Sequence, residues 1–99
     1  MKVASTKIHE IKIQKHYYDK VVDGTKTFEI RFNDRSYKEG DLVVMTMIDE
    51  DEHVTSLKVS ARVGFIATYA QREGFVVFSL LDVNIIPESP ESEVEEEKK

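Results

Sequence analysis

Along most of this chain, hydrophobic and polar positions alternate with the period of two that marks strands facing a core on one side. In Ile8-His9-Glu10-Ile11-Lys12-Ile13, the residues His9, Ile11 and Ile13 share one parity and Glu10 and Lys12 the other, predicting a short strand. The period then changes. Across residues 15–23 the apolar side chains Tyr17, Tyr18, Val21 and Val22 form one helical stripe, and Gly24 falls where a left-handed glycine ends a helix. Residues 26–32 return to strict alternation. Phe28, Ile30 and Phe32 lie on one face and Thr27, Glu29 and Arg31 on the other, which sends Glu29 and Arg31 to the outer surface.

Three further β-rich segments, 42–48, 57–69 and 75–86, follow a turn-rich loop bracketed by Asn33-Asp34-Arg35 and Lys38-Glu39-Gly40-Asp41. The acidic run Asp49-Glu50-Asp51-Glu52 reads as a hairpin loop between the first two, and Gln71-Arg72-Glu73-Gly74 as the turn before the last. Gly64, inside a long β run, predicts a bulge or a barrel corner. The expected fold is mixed α+β, mainly β: a small barrel of about five to six strands with one or two short helices, since so short an all-β stretch must close on itself or hide its edges.

Charge changes the picture where it is uneven. The 99 residues carry a formal net charge of -5. Residues 1–40 hold nine Lys/Arg against six Asp/Glu, residues 41–86 three against seven, and residues 87–99 two against six. The last segment, PESPESEVEEEKK, has one apolar residue and cannot repay the entropy of ordering. It is expected to be a disordered acidic tail behind a single domain at 1–86, and it suits the docking of a protein partner. The absence of cysteine excludes disulfides and thiolate metal sites. No apolar run approaches the ~20 residues that span a bilayer, and the N-terminal residues carry no apolar leader. The expectation is a monomeric cytoplasmic protein without membrane contact.

Gly24-x-Lys26-x-x-Glu29-x-Arg31 crosses the helix exit and the following strand. Here the chain resembles the ASCH domain, a branch of the PUA-like fold whose signature in this place is G-x-K-x-x-E-x-R. The likeness runs over about residues 7–84. It takes in Ile8 to Ile13, Asn33-Asp34-Arg35, Glu39-Gly40-Asp41 and Glu73-Gly74-Phe75-Val76-Val77, and it is similar to a small branch found in bacteria and their phages. The resemblance implies a small PUA-like barrel and a role in binding RNA, or a nucleotide, in a cleft around the signature.

The same residues support that chemistry on their own terms. If the turn after Gly24 re-aims Lys26, an ammonium, a guanidinium and a carboxylate converge near the helix end. Lys26 and Arg31 then hold a phosphate, while Glu29 orients them or accepts from a base N–H. Arg35 and Lys12 extend the cationic track, and Tyr37, in the loop beside Arg35, is the expected exposed aromatic. Otherwise Glu29 and Arg31 are a surface ion pair worth ~0–1 kcal/mol.

Two other functions remain in view. Some ASCH-like proteins look like amidohydrolases of modified nucleosides that use a lysine, a threonine three residues later and a distant glutamate. Lys26 matches, but Glu29 stands where the threonine belongs, Thr27 has the wrong spacing, and Glu73 is the candidate distant carboxylate. In that alternative, Lys26 and Glu29 are the catalytic acid/base pair, acting on a modified nucleoside or RNA. The other is a phage or host accessory protein that uses the fold as scaffold for a protein partner. No cofactor and no metal site is expected. His9, sharing the parity of Ile11 and Ile13, reads as a hydrogen-bonded core residue, and His16 and His53 lack ligand spacing.

Overall fold

The computed structural model describes residues 6–87. The elements follow in the order β1 (Ile8–Gln14), α1 (Lys15–Val22), β2 (Phe28–Phe32), β3 (Leu42–Ile48), β4 (Val54–Ala67) and β5 (Phe75–Ile86). The five strands form one curled half-barrel sheet in the order β1-β3-β4-β5-β2. The mainly β, mixed α+β expectation holds, with five strands and one helix among the described residues. The acidic tail, from residue 88 on, lies outside them.

Only β1 and β3 run parallel, with Ile11 beside Met45; every other pairing is antiparallel. Parallel neighbours need a long crossover, and here α1 and β2 supply it. The helix stops as its sequence predicts. Asp23 caps it in the αR region, Gly24 takes φ +87°, and Asp23 N–H donates to Asp19 O at 3.0 Å.

The inward rows of β1, β3, β4 and β5 make the core. Ile11 and Ile13 meet Val43, Met45 and Met47, then Val59, Ala61 and Val63, then Val76, Phe78 and Leu80, with Tyr18 and Val21 of α1 packed on them. The sheet curls where β4 bulges against β5 between Val63 and Ile66. Gly64 sits in that bulge because nothing larger fits: a Cβ there would lie 2.3 Å from Ser79 Oγ.

Two expectations are overturned. The faces of β2 are reversed. Glu29 stands beside Phe78 and Arg31 beside Val76, on the core side, and Glu29 is only 5% exposed. Phe28, Ile30 and Phe32 face outward, 43%, 50% and 54% exposed. The charged pair therefore belongs to the inside of the half-barrel, not to its outer surface. Tyr37 is not an exposed aromatic either. Asn33 Oδ1 accepts from Tyr37 N–H at 3.0 Å and folds the loop inward, and the Tyr37 ring lies 5.0 Å from that of Phe78 and 4.7 Å from that of His9.

Candidate functional site

The sheet does not close. β1 and β2 are its two edge strands, and one side chain spans the seam between them: Arg31 Nη2 donates to the Lys12 carbonyl at 2.7 Å. The turn after α1 brings Lys26 to the same place. Asp23 Oδ1 accepts from Thr25 N–H at 2.7 Å and Lys26 N–H donates to Lys20 O at 2.9 Å, folding the chain back over the helix end.

Lys26 Nζ then donates to Phe28 O at 2.6 Å and to Glu29 Oε1. Glu29 Oε2 accepts from Arg31 Nε at 2.8 Å. One buried carboxylate thus holds two cations, each oxygen taking one. Such charge-assisted bonds are what allow a carboxylate to sit on the core side of a sheet. The trio carries a net charge of +1. Lys26 lies 5.6 Å from the Tyr17 ring centroid and 5.1 Å from that of Phe28, so the ammonium is also cradled by two aromatic faces.

A hollow of about 370 Å³ opens over these groups, lined by Tyr17, Lys26, Phe28, Glu29 and Ile30. It adjoins a groove of about 600 Å³ along the seam, where Lys12, Arg31, Phe32 and Phe75 contribute. Of the expected site residues, Lys26, Glu29, Arg31 and Lys12 are therefore brought together. Arg35 is exposed on the loop after β2. Tyr37 lies underneath: burial pushes its phenol above the ordinary value, and the charges of Arg31 and Arg35 oppose that rise. Glu73 lines a different depression, with Asn33 and Arg72.

Elsewhere among the buried residues stands a pair that the spacing of the sequence did not join. His9 Nε2 donates to Asp41 Oδ2 at 2.8 Å, both residues buried. Asp41 also accepts from Lys38 N–H at 3.1 Å and Lys7 N–H at 3.3 Å. Burial pushes the Asp41 carboxyl up, but the His9 hydrogen bond and the two backbone donors hold it below its ordinary value. His9 is the core residue its parity predicted; its partner, 32 positions away, carried no sequence signal except Gly40-Asp41 at a strand mouth. The acidic hairpin brings ligand atoms of Asp49, Asp51 and His53 within 4.8 Å. Asp49 Oδ1 is already committed there to the N–H groups of Asp51 and His53, so the cluster reads as a turn.

Fold and site together define a small half-barrel protein whose open seam holds a buried carboxylate between two cations. Residues 8–80 match the family described as Domain of unknown function (DUF3850), and the chain belongs to that family. It is also similar to an "Uncharacterized 12.9 kDa protein in GpA 3'region" of Escherichia phage P2, with 44% identity over 39 residues. That stretch is 39% of this chain and 36% of the phage protein, so the chain matches only about a third of the length of this curated relative. No helix among the described residues is long and apolar enough to cross a membrane.

Proposed function

We propose that this chain is an ASCH-like, PUA-like module that binds RNA, or a nucleotide, in the seam around Lys26, Glu29 and Arg31. The observation that carries this reading is the clamp itself: Glu29 fixes both cations beneath an open groove. Fixed cations lose little entropy on meeting a phosphate. Arg31 uses Nε and Nη2 within the protein, and among the described residues its Nη1 has no partner. That nitrogen and the third proton of Lys26 are the donors offered to a ligand. Lys12 and Arg35 add charge at the rim. The hydrolytic alternative is less well served, because the carboxylate it needs as a base already accepts from a cation on each oxygen.

The test is a fluorescence-anisotropy titration of short single-stranded RNA and DNA at low salt. Lys26→Ala and Arg31→Ala should each weaken binding about tenfold and reduce the salt slope by about one. Binding that neither substitution changes, or no binding at all, overturns the reading.

A further inference from the structure

The outward face of β2 is left unexplained by the cation clamp. Phe28, Ile30 and Phe32 stand about half exposed along it, and their cross-strand neighbours on β5 are Ser79, Val77 and Phe75. The helix packs against β1, β3 and β5, and among the described residues nothing covers this stripe. Its rings are nevertheless held in place. Phe32 lies edge-on to Phe75 at 5.4 Å, and it rests on Gly74, where a Cβ would come within 2.5 Å of Phe32 Cε1.

Cations border the same rings. Lys26 is 5.1 Å from the Phe28 centroid, and Arg31 and Lys12 share the seam groove with Phe32 and Phe75. Apolar rings at strand spacing beside a cationic groove match a strand of nucleotides: phosphates in the groove, base faces on the rings. Side chains two apart on a strand are ~6.6 Å apart, so Phe28 to Phe32 spans ~13 Å, comparable to sheet surfaces whose aromatics stack about two or three bases. A second copy of the chain is the weaker occupant, because a twofold contact on this stripe brings two positively charged clamps together.

We propose that the outward face of β2 is a base-stacking platform, with Phe28 and Phe32 as its rings, so that the seam's ligand is an unpaired strand of about two or three nucleotides rather than a duplex. This rests on the nucleic-acid reading above and narrows it to single strands, since the bases of a duplex are already stacked on one another.

The experiment uses the full chain with a fluorescein-labelled eight-nucleotide single-stranded RNA, the same RNA as a duplex, and an abasic oligomer of equal length. Both rings are exposed, so Phe28→Ala and Phe32→Ala keep the fold, which the melting temperature verifies. Each is expected to weaken single-strand binding about tenfold with the salt slope unchanged, whereas Lys26→Ala lowers that slope. Duplex and abasic probes are expected to bind at least about tenfold more weakly than the single strand. Wild-type-like binding by the double variant, or equal binding of duplex, overturns the platform and leaves the clamp reading standing. If the wild type binds none of the probes, both fall. If the phenylalanine substitutions instead abolish a dimer in sedimentation velocity, the stripe is a self-association surface and the platform is overturned.

Discussion

Glu29 is the residue at which stability and binding are expected to move in opposite directions. Its carboxylate is buried and accepts from Lys26 on one oxygen and Arg31 on the other. Removing one partner of a buried ion pair costs ~3–5 kcal/mol when the remaining charge is stranded. Here the stranded charges have an escape: the Lys26 and Arg31 side chains are 15% and 27% exposed and lie at the seam. The desolvation of the carboxylate is also relieved. We therefore expect Glu29→Ala to cost ~2 kcal/mol, and Glu29→Gln ~1 kcal/mol because the amide oxygen still accepts one bond. Urea denaturation followed by far-UV circular dichroism reads both values. Binding should respond with the other sign. The clamp's net charge rises from +1 to +2, so single-stranded RNA at low salt should bind Glu29→Gln at least as tightly as wild type, with a steeper salt slope. A third variant, Lys26→Met with Glu29→Leu and Arg31→Leu, replaces the charges with apolar bulk. It should regain most of the lost stability and bind nothing. A Glu29→Gln loss below ~0.5 kcal/mol would show that the trio is not a clamp, because that is the range of ordinary surface substitutions. Parallel loss of stability and affinity would refute this sign and show that holding the two cations in place outweighs the charge Glu29 cancels.

Asp41 governs part of the acid sensitivity. Its folded pKa is held below the ordinary 3.8, so its contribution is complete above that value and is lost as pH falls through the lower folded value. Asp41→Asn should flatten the fall in urea midpoint between about pH 5 and 2, a comparison that an unchanged acid limb would refute. Tyr18 and Tyr37 act at the other end. Burial raises both phenols above 10.0, so their stabilisation is complete below that value and disappears as pH rises through the folded values. Melting temperatures of Tyr37→Phe should decline less steeply above pH 10 than those of wild type. Gly74→Ala and Gly40→Ala separate strain from function. Both glycines have positive φ, +86° and +94°, but only at Gly74 does a new Cβ strike Phe32. Each should lose ~1–2 kcal/mol by thermal melt, and Gly74→Ala alone should also weaken single-stranded RNA binding.

The strands, the helix stop at Gly24 and the bulge at Gly64 were legible because each is set by local pattern or by a backbone need that glycine alone meets. The meeting of Lys26, Glu29 and Arg31 was also legible, since it depends on a turn and on a two-residue strand spacing. The facing of β2 was not. Alternation assigns residues to two faces without saying which is inside, and that choice is made by the register of Glu29 with Phe78 and Arg31 with Val76, partners more than forty positions away. The burial of Tyr37 is hidden for a similar reason: its loop is polar in sequence, and it is the contacts with His9 and Phe78 that bury it. The reversal of β2 is itself informative. β1, β3 and the middle of β4 turn apolar rows inward, as burial demands. β2 turns a carboxylate inward and leaves two phenylalanines and an isoleucine facing out, which is unfavourable on both faces. That β2 keeps this costlier arrangement at the open seam of the sheet supports the proposed binding role of the clamp inside and the rings outside.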